Sequence, residues 1–153
     1  MEERVARFVE RARAIGFDVS VHEMSDSTHT AADAAAAVGS PVAAIVKSLL
    51  FLVDQKPLLV LASGANRVDV DLLAGTMGSP VSMADAKTVK RLTGSSIGGV
   101  PPICHPEPIS TVIDVSLLEL DVVWAAAASS RAVFPISPAR LADLTGAQPV
   151  RVS

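Results

Sequence analysis

From Ala43 to Val53, nine of eleven residues are apolar, and the run is interrupted only by Lys47 and Ser48. A stretch of this length, rich in Ile, Val, Leu and Phe, reads as a buried strand. Asp54-Gln55-Lys56-Pro57 supplies turn residues, and Leu58 to Ala62 returns as the partner strand. Neither half can bury its apolar side chains alone. A central hairpin therefore constrains everything else that folds around it.

The flanking segments carry their own punctuation. Val5, Phe8, Val9, Ala12 and Ile15 recur at helical spacing, and Gly16 follows as a stop. Phe17 to Met24 alternates loosely, as a first strand would. Thr30 is placed as an N-cap with Asp33 in capping-box position, ahead of an alanine helix that ends at Gly39-Ser40-Pro41. Asp69 to Met77 fits a helix closed by Gly78, and Ser82 with Asp85 opens another that runs to Gly94. After a glycine–proline loop come strands at Ile109–Ile113 and Val122–Ala127. Ser137 and Pro138 start a last helix that stops before Gly146, and Pro149 to Val152 is a final strand. Strands and helices alternate irregularly around one hairpin. The expectation is an α/β (α+β) fold, with a mixed, strongly curved, barrel-like sheet flanked by helices rather than a doubly wound parallel one.

The chain's 153 residues suit a single domain spanning 1–153. Half the residues are hydrophobic but only 3% are aromatic, with no tyrosine, so aliphatic and alanine side chains must fill the core. That scarcity also removes the usual stacking platforms for a run of single-stranded bases. A net charge of −3 argues against a DNA-coating surface, so any RNA contact is local. The single cysteine precludes an internal disulfide, and the three scattered histidines match no zinc spacing. No metal or cofactor is expected. Without an apolar signal core or a membrane-length run, the expected location is cytoplasmic.

Two features stand out chemically. Lys47 places an ammonium group within an apolar strand; it either snorkels to the strand's solvent edge or serves a site. Gly98-Gly99-Val100-Pro101-Pro102 combines glycines, which let the main chain approach a ligand, with prolines that stiffen the segment and delete donors. This segment is either a recognition cradle or an ordinary turn. Other candidates are less distinctive. His29 lies just ahead of a helix. Cys104 and His105 are adjacent, whereas nucleophile–base pairs normally assemble from distant segments. Ser63, Asn66 and Arg67 follow a strand end, where a phosphate could bind. Asp114 could orient Lys47 or merely initiate a turn. Lys87, Lys90 and Arg91 share one helix, as a solvated face or a small nucleic-acid footprint.

Taken in order, these elements resemble the YbaK/ProX family, which is related to the editing insertion of bacterial prolyl-tRNA synthetases. The carriers are the Ile-Val-Lys-Ser-Leu-Leu-Phe strand, the Val-Leu-Ala-Ser-Gly strand, the Gly-Gly-Val-Pro-Pro loop, the Thr-Val-Ile-Asp strand and the Val-Val-Trp strand, covering the chain from about Thr28 to its end. The resemblance implies a trans-editing deacylase of mischarged aminoacyl-tRNA, clearing a small amino acid such as Ala, Ser, Thr or Cys. Its partners would be the tRNA acceptor end and an aminoacyl-tRNA synthetase. By that resemblance Lys47 contacts the terminal phosphate or the aminoacyl group. Gly98, Gly99 and Pro102 belong to the G-x-x-x-P motif, and Val100 and Pro101 lie inside it. No side chain acts as nucleophile; the substrate's own 2′-hydroxyl helps activate water. The alternative is a non-catalytic module of the same fold that binds an acceptor end or a nucleotide phosphate. Two departures stand out. Many members carry glycine where this chain has Cys104, and glycine after the Trp strand where it has Ala127 and Ala128. If those positions border the pocket, the added methyl groups narrow it.

Overall fold

A computed structural model of the chain describes residues 1–25 and 30–153. Candidate His29 lies outside the described residues. The hairpin forms as expected and is the centre of the molecule: β2 (Val46–Val53) pairs antiparallel with β3 (Lys56–Ser63). Its turn is tighter than the four-residue stretch suggests. Val53 pairs directly with Lys56, and Asp54 and Gln55 both take positive φ, as a two-residue hairpin turn of matching twist requires.

Around this hairpin a five-stranded mixed sheet runs in the order β4-β2-β3-β5-β8, with β4 at Val81–Met83, β5 at Ser110–Asp114 and β8 at Gln148–Val150. A second, three-stranded sheet runs β1-β7-β6, with β1 at His22–Glu23, β6 at Val123–Ser129 and β7 at Ala132–Ile136. An isolated bridge, Ile45 to Trp124, joins the two sheets. The fold is thus a single α+β unit with a mixed sheet, but its strands do not close into a barrel.

Side-chain alternation assigns the two faces of β2. Val46, Leu50, Leu59, Leu61 and Ile113 join Phe134, Ala125 and Ile136 of the smaller sheet, and Val5, Phe8 and Ala12 of α1 (Glu3–Ala14), in one core. Phe51, Leu58, Val60, Ala62 and Val112 turn the other way, onto Leu73 of α3 (Val70–Met77). Leu59, Val60, Leu61 and Ala62 are all fully buried, which is why this strand reads as continuous rather than alternating.

Local signals hold at most helix ends. Thr30 caps α2 (Ala31–Val38) through a reciprocal capping box with Asp33. Ser137 caps α5 (Pro138–Thr145), with Pro138 in its first turn and Gly146 in the left-handed conformation at its end. The Ser82 helix start is corrected. Ser82 lies in β4, and Asp85 is instead the N-cap of α4 (Ala86–Thr93), accepting from the Thr88 amide. The first strand is also shorter than expected. Phe17, Val19 and Val21 do alternate inward against the core, but only His22 and Glu23 find a partner, on β7.

Strand β7 is not legible in the sequence, because Arg131 and Pro135 interrupt its pattern. Its partner β1 explains the tolerance. The Arg131 carbonyl accepts from the Met24 amide on the β1 side, so Pro135, two strand periods along, turns its missing N–H toward that side too. Pairing of Pro135 with Trp124 on β6 loses no donor.

Candidate active site

The two sheets, α2, α4 and the loop before β5 enclose a cavity of about 310 Å³. Lys47, Ser48 and Leu50 of β2, Trp124 and Ala126 of β6, Ala31 and Ala34 of α2, Val89 of α4, and Gly98 and Val100 all line it. Its position follows from strand pairing. At one end β2 meets the smaller sheet at Ile45, and at the other it meets β4 from Phe51 onward. Between those points its edge has no partner strand among the described residues, and the cavity opens there.

The loop reaches this wall through its glycines. Gly98 has φ +93°, a conformation that side chains rarely adopt, and Gly99 packs so closely on Ser129 that an added Cβ would sit 3.1 Å from its main chain. Distant in sequence, Lys47, Gly98 and Val100 line one cavity, whereas Gly99 packs against Ser129 and is not among its lining residues. Pro102 does not share it. With Cys104 and His105 it lines a separate depression of about 370 Å³ beside Arg11 and Leu144. Pro101 is buried, and its carbonyl accepts a 2.7 Å hydrogen bond from the His105 Nε2. Burial lowers the His105 pKa, and that hydrogen bond partly opposes the shift. Burial likewise pushes the Cys104 thiol up, away from nucleophilic character.

Lys47 lies on the α3 side of the sheet, opposite Ala62. Its ammonium donates to the main-chain oxygen of Asn66. Asn66 is held in turn by Asp114, whose Oδ2 accepts from the Asn66 Nδ2 at 2.9 Å and from the Ser63 amide at 3.0 Å. The Asp114 Oδ1 accepts from the Ser116 amide at 2.9 Å, and the whole residue is only 1% exposed. Asp114 thus starts the turn after β5 and also supports the residue that anchors the lysine. Burial lowers the Lys47 pKa, and the charge of Asp114 raises it again in part. Ser63 is buried within the same network, and its hydroxyl donates to the Ala43 carbonyl. Arg67 is exposed, and neither it nor Asn66 lines the cavity.

Ala127 belongs to the core; its neighbour Ala126 faces the cavity. Alternation alone gives both placements, and a bulge acts just beyond them. Ala126 pairs with Val133 and Ser129 with Ala132, which leaves Ala127 and Ala128 unpaired between them. Alternation from Trp124 puts Ala126 on the cavity side, and the bulge restores that side only at Ser129. The same geometry overturns the narrowed-pocket expectation. Cys104 has φ +65° and Ala128 φ +70°, and neither lines the cavity. Glycine suits these positions because the backbone there is left-handed, not because the pocket needs room. Ala128→Gly is accordingly expected to stabilise the fold by about 1 kcal/mol, as the released strain outweighs added chain entropy. Urea unfolding would measure this.

The contributions of α2 and of Ser129 are missed by sequence reading. Ser129 lines the cavity and donates at 2.6 Å to Glu2, which holds the Glu2 carboxyl below its usual range. No local signal could join residues 127 positions apart.

Comparison with known proteins agrees with this architecture. The family model of the aminoacyl-tRNA editing domain matches residues 25–144. A proline–tRNA ligase from Latilactobacillus sakei is 33% identical over 90 residues, covering 58% of this chain and 16% of the ligase. The uncharacterised protein YwhH of Bacillus subtilis is 29% identical over 126 residues, 82% of this chain and 80% of that one. Among solved structures, a candidate trans-editing enzyme for prolyl tRNA synthetase superposes with a TM-score of 0.96 at 39% identity, covering 100% of this chain and 98% of the other. Hypothetical protein APE2540 gives 0.87 at 33% identity, covering 98% and 99%. Together, the matched family model and the shared fold place this chain in the aminoacyl-tRNA editing domain family, the YbaK/ProX-like group that its lysine strand resembles.

Proposed function

We propose that this protein hydrolyses the ester joining a small amino acid to the 3′ end of a mischarged tRNA, acting in trans. The carrying observation is one cavity lined by Lys47 together with Gly98 and Val100 of the loop. Its volume suits a small acyl group, and its lining is largely apolar. Support for action in trans comes from the candidate trans-editing enzyme that this chain matches over nearly its whole length.

In this reading the Lys47 ammonium, which rests on the α3 side of the sheet, leaves the Asn66 oxygen and reaches round the unpaired edge of β2 to the terminal phosphate or the ester, neutralising charge where it develops. The main chain at Gly98–Val100 orients the acyl group. Water, activated with help from the substrate's own 2′-hydroxyl, adds to the ester carbonyl. The ester C–O bond then breaks, the departing ribose oxygen takes up a proton, and free amino acid and uncharged tRNA result. At the cavity mouth, Met83 and Ile97 are each 63% exposed and offer an apolar rest for the terminal base. Exposed Lys87, Lys90 and Arg91 lie on α4, whose Val89 lines the cavity, and are placed to meet acceptor-stem phosphates. Selection among tRNAs by a partner synthetase is compatible with so small a basic surface.

The decisive experiment is a deacylation panel on one tRNA charged with alanine, serine, threonine, cysteine or proline. Release of at least one of the first four, with the prolyl ester spared, is the expected result. No release from any of them would overturn the proposal. Salt-sensitive tRNA binding without release would favour the non-catalytic binding module instead.

A further inference from the structure

Among the described residues, three hydroxyl-bearing residues line the cavity: Thr30, Ser48 and Ser129. Two are engaged. The Thr30 Oγ1 accepts from the Asp33 amide at 3.1 Å, and the Ser129 Oγ donates to Glu2 while accepting from the Arg131 amide at 3.1 Å. The third differs. The Ser48 Oγ is buried and, among the described residues, has no hydrogen-bond partner. Buried polar groups are nearly always paired, and an unpaired one demands an explanation. An alanine here would avoid the cost of desolvating a hydroxyl.

Alternation along β2 shows where this hydroxyl points. Ser48 shares the face of Val46 and Leu50, toward the smaller sheet, whereas Lys47 shares the face of Leu49 and Phe51, toward α3. The two neighbours therefore do different work. Around Ser48 the cavity wall is apolar: Ile45, Val89, Val100, Trp124 and Ala126. A polar group of a ligand entering this wall meets a vacant side-chain partner there, able both to donate and to accept.

Resting on the proposed deacylase reading, we infer that Ser48 determines amino-acid specificity. Its hydroxyl pairs with the side-chain hydroxyl of the bound acyl group, so the site favours seryl and threonyl esters over alanyl ones. A site that satisfies a buried hydroxyl discriminates against the ligand lacking it, because the protein group is then left unpaired.

The test compares kcat/KM for seryl and alanyl esters of the same tRNA in wild type, Ser48→Ala and Ser48→Thr. Ser48→Ala should lose about tenfold on the seryl ester and less than about twofold on the alanyl ester. Ser48→Thr, which restores a hydroxyl, should recover the preference. An equal loss on both esters would overturn the inference, since Ser48 would then touch a group common to all amino acids. An unchanged ratio would overturn it as well. Binding tests the same point without turnover: the Kd values of non-hydrolysable 3′-seryl and 3′-alanyl amides of adenosine should differ by about the same tenfold, and the difference should collapse in Ser48→Ala. If wild type cleaves both esters without preference, only this inference fails. If it cleaves neither and binds neither amide, the deacylase reading falls and takes the inference with it.

Discussion

Lys47→Ala is expected to lower kcat/KM for deacylation by at least about a hundredfold, the range typical for removing one preorganised electrostatic contact. Its melting temperature should change little. The side chain is only partly buried, its ammonium is held by the Asn66 carbonyl, and removing the amine also removes a desolvated charge. Loss of turnover with retained stability separates a working lysine from a structural one. Single-turnover deacylation alongside thermal melting measures both, and activity within about threefold of wild type would sink the assignment. The pH profile gives a second handle. Burial disfavours the protonated amine, so the alkaline limb of kcat/KM should fall below the ordinary lysine value. Asp114 opposes that shift. A variant without its charge should move the limb to still lower pH, because the remaining influence is desolvation alone.

The second large effect falls on stability. Asp114→Ala removes the acceptor for the Ser63 amide, the Ser116 amide and the Asn66 side chain at once, in a position 1% exposed. The buried Ser63 amide left unsatisfied costs about 1–3 kcal/mol and the part-buried Ser116 and Asn66 donors less, so a loss of roughly 2–4 kcal/mol is expected. That is a large share of a typical domain's stability. Urea unfolding would show a lower midpoint with an unchanged slope. Asp114→Asn keeps the shape but turns an amide group toward one of these donors, so an intermediate loss is expected. Both variants take the carboxylate acceptor from Asn66, whose side chain then relies on the Ser116 Oγ, so the carbonyl that anchors Lys47 is less firmly fixed. Activity should therefore drop in Asp114→Asn even where the protein remains folded. A fully active, fully stable Asp114→Ala would show that the network does neither job.

The separation of Pro102 from the cavity bears on how the glycine–proline loop acts. Gly98 and Val100 reach the Lys47 wall, while Pro102 ends the loop in the other depression. The proline holds the loop's exit, and the cavity wall is formed by residues before it. The hydrogen bond from His105 to the Pro101 carbonyl fastens the same corner from outside. Rigidity at the exit fixes Gly98 and Val100, which line the cavity, and that is a role a stiff segment can serve without lining it.

Short-range patterns settled the pieces of this protein that depend on neighbours in the chain. The apolar run with its turn made the β2–β3 hairpin, Thr30 with Asp33 started α2, and Ser137-Pro138 started α5. Periods of two and 3.6 residues, and the hydrogen bonds of a cap, act over a few residues and are written there. Tertiary structure alone decided the rest: that β7 pairs with both β6 and β1, that Asp85 rather than Ser82 caps α4, and that Ala126 and Ser129 face the cavity while Ala127 turns into the core. Beyond Ala126 a bulge shifts the parity, so that Ser129 rather than Ala128 faces the cavity, and pairing between distant strands fixes which face becomes a wall. Such outcomes depend on the free energy of burying whole surfaces together, which no single stretch of sequence carries.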